Sequence, residues 1–331
     1  MIWIRLRTLF RHHMQNARPT TPYPYTTVVT VENYLDREKI DRFLTRHFRN
    51  YTPQRMQRLI RGGCVWIDDV PAEPRFRVRA GQQVRVRLIE PPDKLIEAQD
   101  LPLEVLYEDE HVIAVNKPPR QSAHPGGNYH DGTLANALQY YLDRQTPLPG
   151  LLRPGIVHRL DRLTSGVIVV CKDHHAHRNL SIDFQSGRVA KTYLALVHGH
   201  IADNTGEIDA AIGRASDGGL MSVAPTATGS KAAVTRFQVL ERFELPYSLV
   251  EAKPLTGRLH QIRVHLASMG HAIVADEFYG VSDDEHLLDR QALHAAEIAF
   301  SHPLTGAPLV ISAPLPADFQ QAVEQLRRNC S

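Results

Sequence analysis

The segment His158-Arg159-Leu160-Asp161-Arg162 places one carboxylate among two guanidiniums and an imidazole within five residues. It stands between the apolar Ile156-Val157 and the run Val167-Ile168-Val169-Val170, which reads as a buried strand. Charges at the mouth of a core strand either pair with one another in a salt-bridged loop or serve a site. In a site, Asp161 could act as a nucleophile or take a proton. Two other stretches invite attention. Lys191-Thr192-Tyr193-Leu194-Ala195-Leu196-Val197 sets Tyr193 in a strand-like run, where it could equally be core. Arg258 and Arg263 flank His260-Gln261, a polar pair odd for a buried element.

Metal chemistry finds little support. His174-His175-Ala176-His177, and His260 with His265 and His271, are rich in imidazole, but their spacings lack the paired i, i+4 arrangement with a completing carboxylate. The expectation is no metal, and a solvated helix start after Asp173. Cys64, Cys171 and Cys330 are odd in number and form no CxxC pair, which argues against a disulfide framework and for a reducing, cytoplasmic setting. No run of eighteen apolar residues exists, so a membrane span is not expected.

The elements that must carry these groups fall into two modules, residues 31–90 and residues 100–320. Residues 1–90 carry 17 Lys+Arg against 8 Asp+Glu, whereas residues 91–331 carry 21 against 28. A basic front on a mildly acidic body suggests that one part grips a polyanion. Ile40, Phe43, Leu44, His47 and Phe48 predict an amphipathic helix. A second begins with Thr52 as cap and Pro53 in the first turn, and ends at Gly62-Gly63. Strands are expected at Cys64 to Ile67, Arg75 to Arg79 and Val84 to Leu88, with a turn at Asp68-Asp69 and arginines on one face of the last two. Arg55, Arg58 and Arg61 line the second helix as a candidate phosphate-contacting row. Residues 1–30 read as a basic extension and linker. Met1 to Pro24 holds four arginines and no acid, in the manner of an organellar transit peptide, with Met14 as an alternative start.

Pro91-Pro92 marks a boundary. Beyond it, residues 100–320 mix strands such as Leu103 to Tyr107 and His111 to Val115 with a few helices, without a βαβ rhythm. This favours an α+β fold with a mixed, largely antiparallel sheet, flanking helices and loops, preceded by a small α/β module.

Lys39-Ile40-Asp41-Arg42-Phe43-Leu44, Gln54 to Gly63, Val65-Trp66-Ile67-Asp68-Asp69 and Ala80-Gly81-Gln82 together resemble the S4 RNA-binding domain, with Asp68-Asp69 in place of the usual Asn-Gly. His158-Arg159-Leu160-Asp161-Arg162-x-Thr164-Ser165-Gly166 resembles the catalytic signature of the RluA family of pseudouridine synthases. Val112 to Pro118, Lys191 to Val197, Thr256 to His265 and Leu293-His294-Ala295 match that family in order, across nearly all of residues 100–315. Ala275, before Asp276, stands where the family usually has Gly.

The resemblance implies an isomerase that breaks the C1′–N1 bond of uridine in RNA, turns the base and joins C5 to C1′. No redox change or net hydrolysis occurs, so no cofactor is expected. Asp161 would attack C1′ or take the 2′ proton, and the sequence leaves both routes open. Arg263 would hold Asp161 ionised and aimed, and Tyr193 would stack on the base. Arg159 would fill the gap left by a flipped nucleotide. His158, Arg162 and Arg258, with Arg55, Arg58 and Arg61, are the further candidate RNA contacts. The expected partner is ribosomal RNA, with transfer RNA as the other option, and the expected state is a monomer needing no protein partner. A competing reading is a catalytically silent RNA-binding or assembly factor of S4 type, against which an intact Asp161, Tyr193 and Arg263 argue.

Overall fold

The computed structural model describes residues 23–93, 95–127, 129–146, 148–215, 219–224, 227–280 and 287–328. The transit-peptide pattern of residues 1–22 and Cys330 lie outside the described residues. Contacts divide the chain into two compact units, Met1–Leu95 with Thr146–Leu151, and Ile96–Gln145 with Leu152–Ser331. No helix of the described residues is long and apolar enough to cross a membrane.

The first unit holds β1 (Tyr25–Thr30), α1 (Ile40–His47), α2 (Pro53–Arg61), β2 (Val65–Ile67), β3 (Val70–Pro71) and β4 (Gln83–Leu88), with an antiparallel sheet in the order β1-β4-β2-β3. Both helices bury the stripes their sequences predict: Ile40, Phe43 and Leu44 from α1, Met56, Leu59 and Ile60 from α2. Thr52 caps α2 by accepting from the Arg55 amide. Asp68 and Asp69 take φ of 46° and 65°, the left-handed pair a two-residue hairpin demands. Along β4, Val84, Val86 and Leu88 are buried while Arg85 and Arg87 project from the opposite face.

Three expectations need correction here. Tyr25–Thr30, expected to be linker, pairs with β4 as a full strand, because its β-branched run fits a pleated edge. Arg75 to Arg79 forms no full strand: it makes only an isolated antiparallel bridge, Arg77 with Lys39, and the ladder stops where the Arg79 amide turns to the Gln82 side chain. Thr146–Leu151 joins the first unit's core, where Leu148 is fully buried and Asn50 Nδ2 donates to the Gly150 carbonyl at 2.9 Å. A continuous body from residue 100 to 320 therefore misses that excursion.

The second unit is α+β, as expected. Its strands are β5 (Glu104–Glu108), β6 (Val112–Lys117), β7 (Gly155–Ile156), β8 (Ser165–Cys171), β9 (Ala190–His198), β10 (Thr205–Asp209), β11 (Ile212–Arg214), β12 (Met221–Ser222), β13 (Thr228–Lys231), β14 (Val234–Arg242), β15 (Tyr247–Pro254), β16 (Leu293–Ser301) and β17 (Pro308–Ser312). Its helices are α3 (Leu134–Asp143), α4 (His174–Gln185), α5 (Gln261–Ser268) and α6 (Ala317–Arg328). The main sheet runs β10-β14-β15-β9-β16-β8-β6-β5, with β17 on β16 and β7 on β8, and β12-β11-β13 form a small second sheet. Pairing is antiparallel except between β16 and β8. Every residue of β8 is buried, which explains its unbroken apolar run. Asp173 Oδ1 accepts from the Ala176 amide at 2.8 Å and caps α4, the helix start expected there.

The register of this sheet places the site. Tyr193 in β9 pairs with Ala295 in β16, Ala295 with Gly166 in β8, and Gly166 with Lys117 in β6. Tyr193 thus lies level with the end of the loop bearing Asp161. The approach of β16 is so close that a Cβ on Gly166, whose φ is 115°, would collide with the Ala295 backbone. We expect Gly166→Ala to destabilise the protein by roughly 3 kcal/mol or more through strain and collision together. Denaturant titration of the two forms measures it, and a loss below about 1 kcal/mol would show that β16 can retreat.

Candidate active site

The turn from Asp161 to Thr164, closed by the Thr164 amide on the Asp161 carbonyl at 3.1 Å, is gripped from beneath by buried polar groups. Lys117, fully buried at the end of β6, gives Nζ–H bonds to the carbonyls of Pro118 (2.7 Å), Gln121 (3.0 Å) and Arg162 (3.3 Å). Burial, and then the nearby Arg290, push its pKa down to about 7. Arg290 Nη1 donates to the Leu163 carbonyl at 3.2 Å, while its other nitrogens grip Asp318 at 2.7 and 2.8 Å. Gln291 Nε2 donates to Thr164 Oγ1 at 2.7 Å, and Ser165 Oγ meets His294 Nδ1 at 3.0 Å. Four consecutive residues after Asp161 are therefore fixed through their own polar atoms, which leaves the Asp161 side chain as the part facing outward.

That carboxylate meets Arg263 Nη1 through Oδ2 at 2.9 Å. Arg263 projects from α5 and is 2% exposed. Asp276 takes its Nε and Nη2 in a two-pronged bond, 2.7 Å each, and also accepts the amides of Phe278 (3.0 Å) and Tyr279 (3.1 Å). Burial works against the guanidinium's charge, but Asp276 and then Asp161 outweigh it and raise its pKa. The rings of Phe278 and Tyr279 lie 5.3 and 5.2 Å from its central carbon. Ala275, just before Asp276, holds φ of 55°, a left-handed turn that a glycine enters without steric cost. Asp161 Oδ1 has no hydrogen-bond partner among the described residues.

Asp161 opens on a cleft of about 930 Å³ whose lining includes His158, Arg159, Tyr193, Arg258 and Arg263. Six of the residues singled out in the sequence, counting Asp161, are thus brought together. Burial, reinforced by Asp161, pushes the Tyr193 phenol above its ordinary range, so at neutral pH it is no base. It packs against both apolar clusters of the unit. Arg159 is exposed at the rim. Arg258 is exposed too, its Nε held by the Ala232 carbonyl at 2.9 Å. His158 lines the cleft, but its Nε2 accepts from the Val169 amide at 2.9 Å and its ring stacks on Phe184. Burial drives its pKa down to about 3, so the ring stands uncharged at neutral pH. Arg162 lies outside this lining and rests over the Tyr129 ring at 5.4 Å. Lys191, also in the lining, bonds the Thr256 carbonyl at 3.2 Å.

The helical arginine row sits in the first unit and is uneven. Arg55 is largely covered, bonded to Glu90 (2.9 Å), the Pro91 carbonyl (3.0 Å) and Asp93 (3.5 Å). Arg58 is 60% exposed with one long contact to Glu90, and Arg61 is exposed. The acids that occupy Arg55 follow β4 in sequence, and nothing in the helix itself announces them.

Sequence reasoning passed over Lys117, Arg290 and Asp318. Its available signal was charge inside apolar surroundings: Lys117 closes the run from Val112, and Arg290-Gln291 shortly precede Leu293.

Comparison with known proteins decides the family. The RNA pseudouridylate synthase family profile matches residues 111–268. A Bacillus subtilis protein named as an uncharacterized RNA pseudouridine synthase is 37% identical over 301 residues, covering 91% of this chain and 98% of that one. The chain belongs to the RNA pseudouridine synthases. Ribosomal large subunit pseudouridine synthase D of Zymomonas mobilis is 35% identical, with 91% of this chain and 98% of that one covered. The solved structure of human RNA pseudouridylate synthase domain containing 1 superimposes with a TM-score of 0.54 at 30% identity, over 72% of this chain and 98% of that one. This protein is accordingly a pseudouridine synthase, an isomerase acting on uridine in RNA.

A shared guanidinium must fit both carboxylates at once, which a lysine's single nitrogen cannot do. Arg263→Lys is expected to lower the single-turnover rate by roughly 100-fold or more while RNA affinity changes little. Single-turnover assays beside filter binding measure both, and equal losses in rate and affinity would contradict a role in aiming Asp161.

Proposed function

We propose that this synthase isomerises uridines of ribosomal RNA through Asp161. The observation that carries the reading is the Asp161 carboxylate, anchored at Oδ2 by Arg263 and open at Oδ1, in a cleft that also holds Tyr193. Along one route Oδ1 bonds to C1′ as the C1′–N1 pair leaves with the base, and the later C5–C1′ bond expels the carboxylate. Along the other, Asp161 takes the 2′ proton as the base leaves and returns it when C5 joins C1′. In both, the C5 proton is lost last and the net change is isomerisation. Tyr193 packs the base while it turns. Arg159, exposed at the rim, serves the gap left by the extruded nucleotide.

Ribosomal RNA is favoured because a relative covering nearly its whole length is named for the large ribosomal subunit. Residues 31–90 would act as an RNA-binding domain of S4 type, gripping phosphate through Arg58 and Arg61 rather than the occupied Arg55. In this reading the enzyme works as a monomer in the cytoplasm, without an obligatory protein partner.

Unmodified ribosomal and transfer RNA should be incubated with the protein and with Asp161→Ala, then mapped by carbodiimide-blocked primer extension. Stops in ribosomal RNA from the unaltered protein, with a rate loss of roughly 1,000-fold or more in the variant, are expected. Equal stops from both would end the assignment of Asp161. Stops confined to transfer RNA would move the substrate, and abasic sites would mark a glycosidase.

The grip is tested separately. Replacing Arg58 and Arg61 by Gln should flatten the salt dependence of RNA affinity by about one logarithmic unit for each phosphate no longer neutralised. An unchanged slope would remove those arginines from the RNA surface.

A further inference from the structure

His260 stands at the head of α5 and is used by neither route above. Its φ of 55° is a left-handed conformation, costly for a residue with a Cβ and frequent where a site needs a side chain aimed. Its ring lies parallel to Phe278, with centroids 6.0 Å apart and planes 16° from each other. Nε2 is 3.9 Å from Asp161 Oδ2, the oxygen already bound by Arg263. Nδ1 is 3.0 Å from the Tyr279 hydroxyl, which itself accepts the Met221 amide at 3.1 Å. The tautomer in which Nδ1 accepts the Tyr279 hydroxyl proton carries its own ring proton on Nε2, facing Asp161. Burial lowers the imidazole's pKa, and Arg263 and Arg159 act in the same direction against Asp161 and Asp276. The neutral ring is therefore the resting form.

We propose that His260 is a positioning residue for the isomerisation: in the RNA complex its Nε2–H closes the 3.9 Å gap and donates to Asp161 Oδ2. Catalytic hydrogen bonds are often long before substrate arrives and shorten in the complex. Two donors three residues apart at the start of α5, His260 and Arg263, then hold the same oxygen. The carboxylate can no longer swing to offer either oxygen, and Oδ1 is the one that meets the sugar. Tyr279 acts one step behind, by fixing which nitrogen of His260 carries the proton. The inference rests on Asp161 as the reacting carboxylate.

The test uses the full chain, a ribosomal RNA fragment carrying the mapped uridine, and single-turnover rates beside RNA dissociation constants. His260→Ala should slow the reaction roughly 10- to 100-fold with RNA affinity within about twofold. His260→Gln, whose amide can still donate near the position of Nε2, should recover most of that rate. Tyr279→Phe should cost roughly 3- to 10-fold alone and nothing further in the His260→Ala background, because it acts through His260. A wild-type rate in His260→Ala overturns the proposal. So does a Gln variant as slow as Ala, or a loss carried by affinity alone. Asp161→Ala runs in parallel: activity surviving there overturns the assignment beneath the proposal, whereas a dead Asp161→Ala beside a fully active His260→Ala overturns the proposal alone.

Discussion

One buried guanidinium is divided between two carboxylates, and the division is unequal. Asp276 collects two bonds from Arg263 and two backbone amides, while Asp161 receives a single nitrogen. A buried charge is tolerable only when its neighbours satisfy it almost completely. Asp276 does most of that work, so Asp161 can be left nearly bare at low cost to the fold. A carboxylate satisfied as fully as Asp276 would be a poor reactant. The cation thus holds one acid by two bonds and the other by a single one.

Other contacts of the second unit keep the loop that carries Asp161 in place. A loop tip normally drifts by the slack of its own backbone. Here the slack is removed by Lys117, Arg290, Gln291 and His294, which reach the four residues after Asp161 from β6 and from the segment entering β16. Two of these groups, the buried Lys117 and Arg290, grip the loop through backbone carbonyls, so that part of its shape rests on main-chain atoms rather than on the side chains of Arg162 and Leu163.

Much of this was legible in the sequence, for particular reasons. Periodicity marked α1, α2 and the buried β8, because apolar spacing reports directly which face meets the core. Asp161, Tyr193 and Arg263, far apart in sequence, line one cleft. Contacts set by distant chain were hidden. Arg55 looked the equal of Arg58 until Glu90 and Asp93 proved to occupy it, and nothing near His158 in sequence announced that the Val169 amide holds its Nε2. The strand at Tyr25–Thr30 was obscured by the proline-rich sequence before it, although its own residues favour extension.

The sheet order β9-β16-β8 has a consequence in time as well as in space. The strand bearing Tyr193 and the strand following Asp161 are not neighbours on their own; residues 293–301, made long after Asp161, are the strand that separates and aligns them. While the chain is still emerging during synthesis, the carboxylate and the phenol have no common frame. A growing polypeptide therefore cannot bring the two side chains into register until that strand has been added and wedged into the sheet, whatever its earlier segments have already folded into.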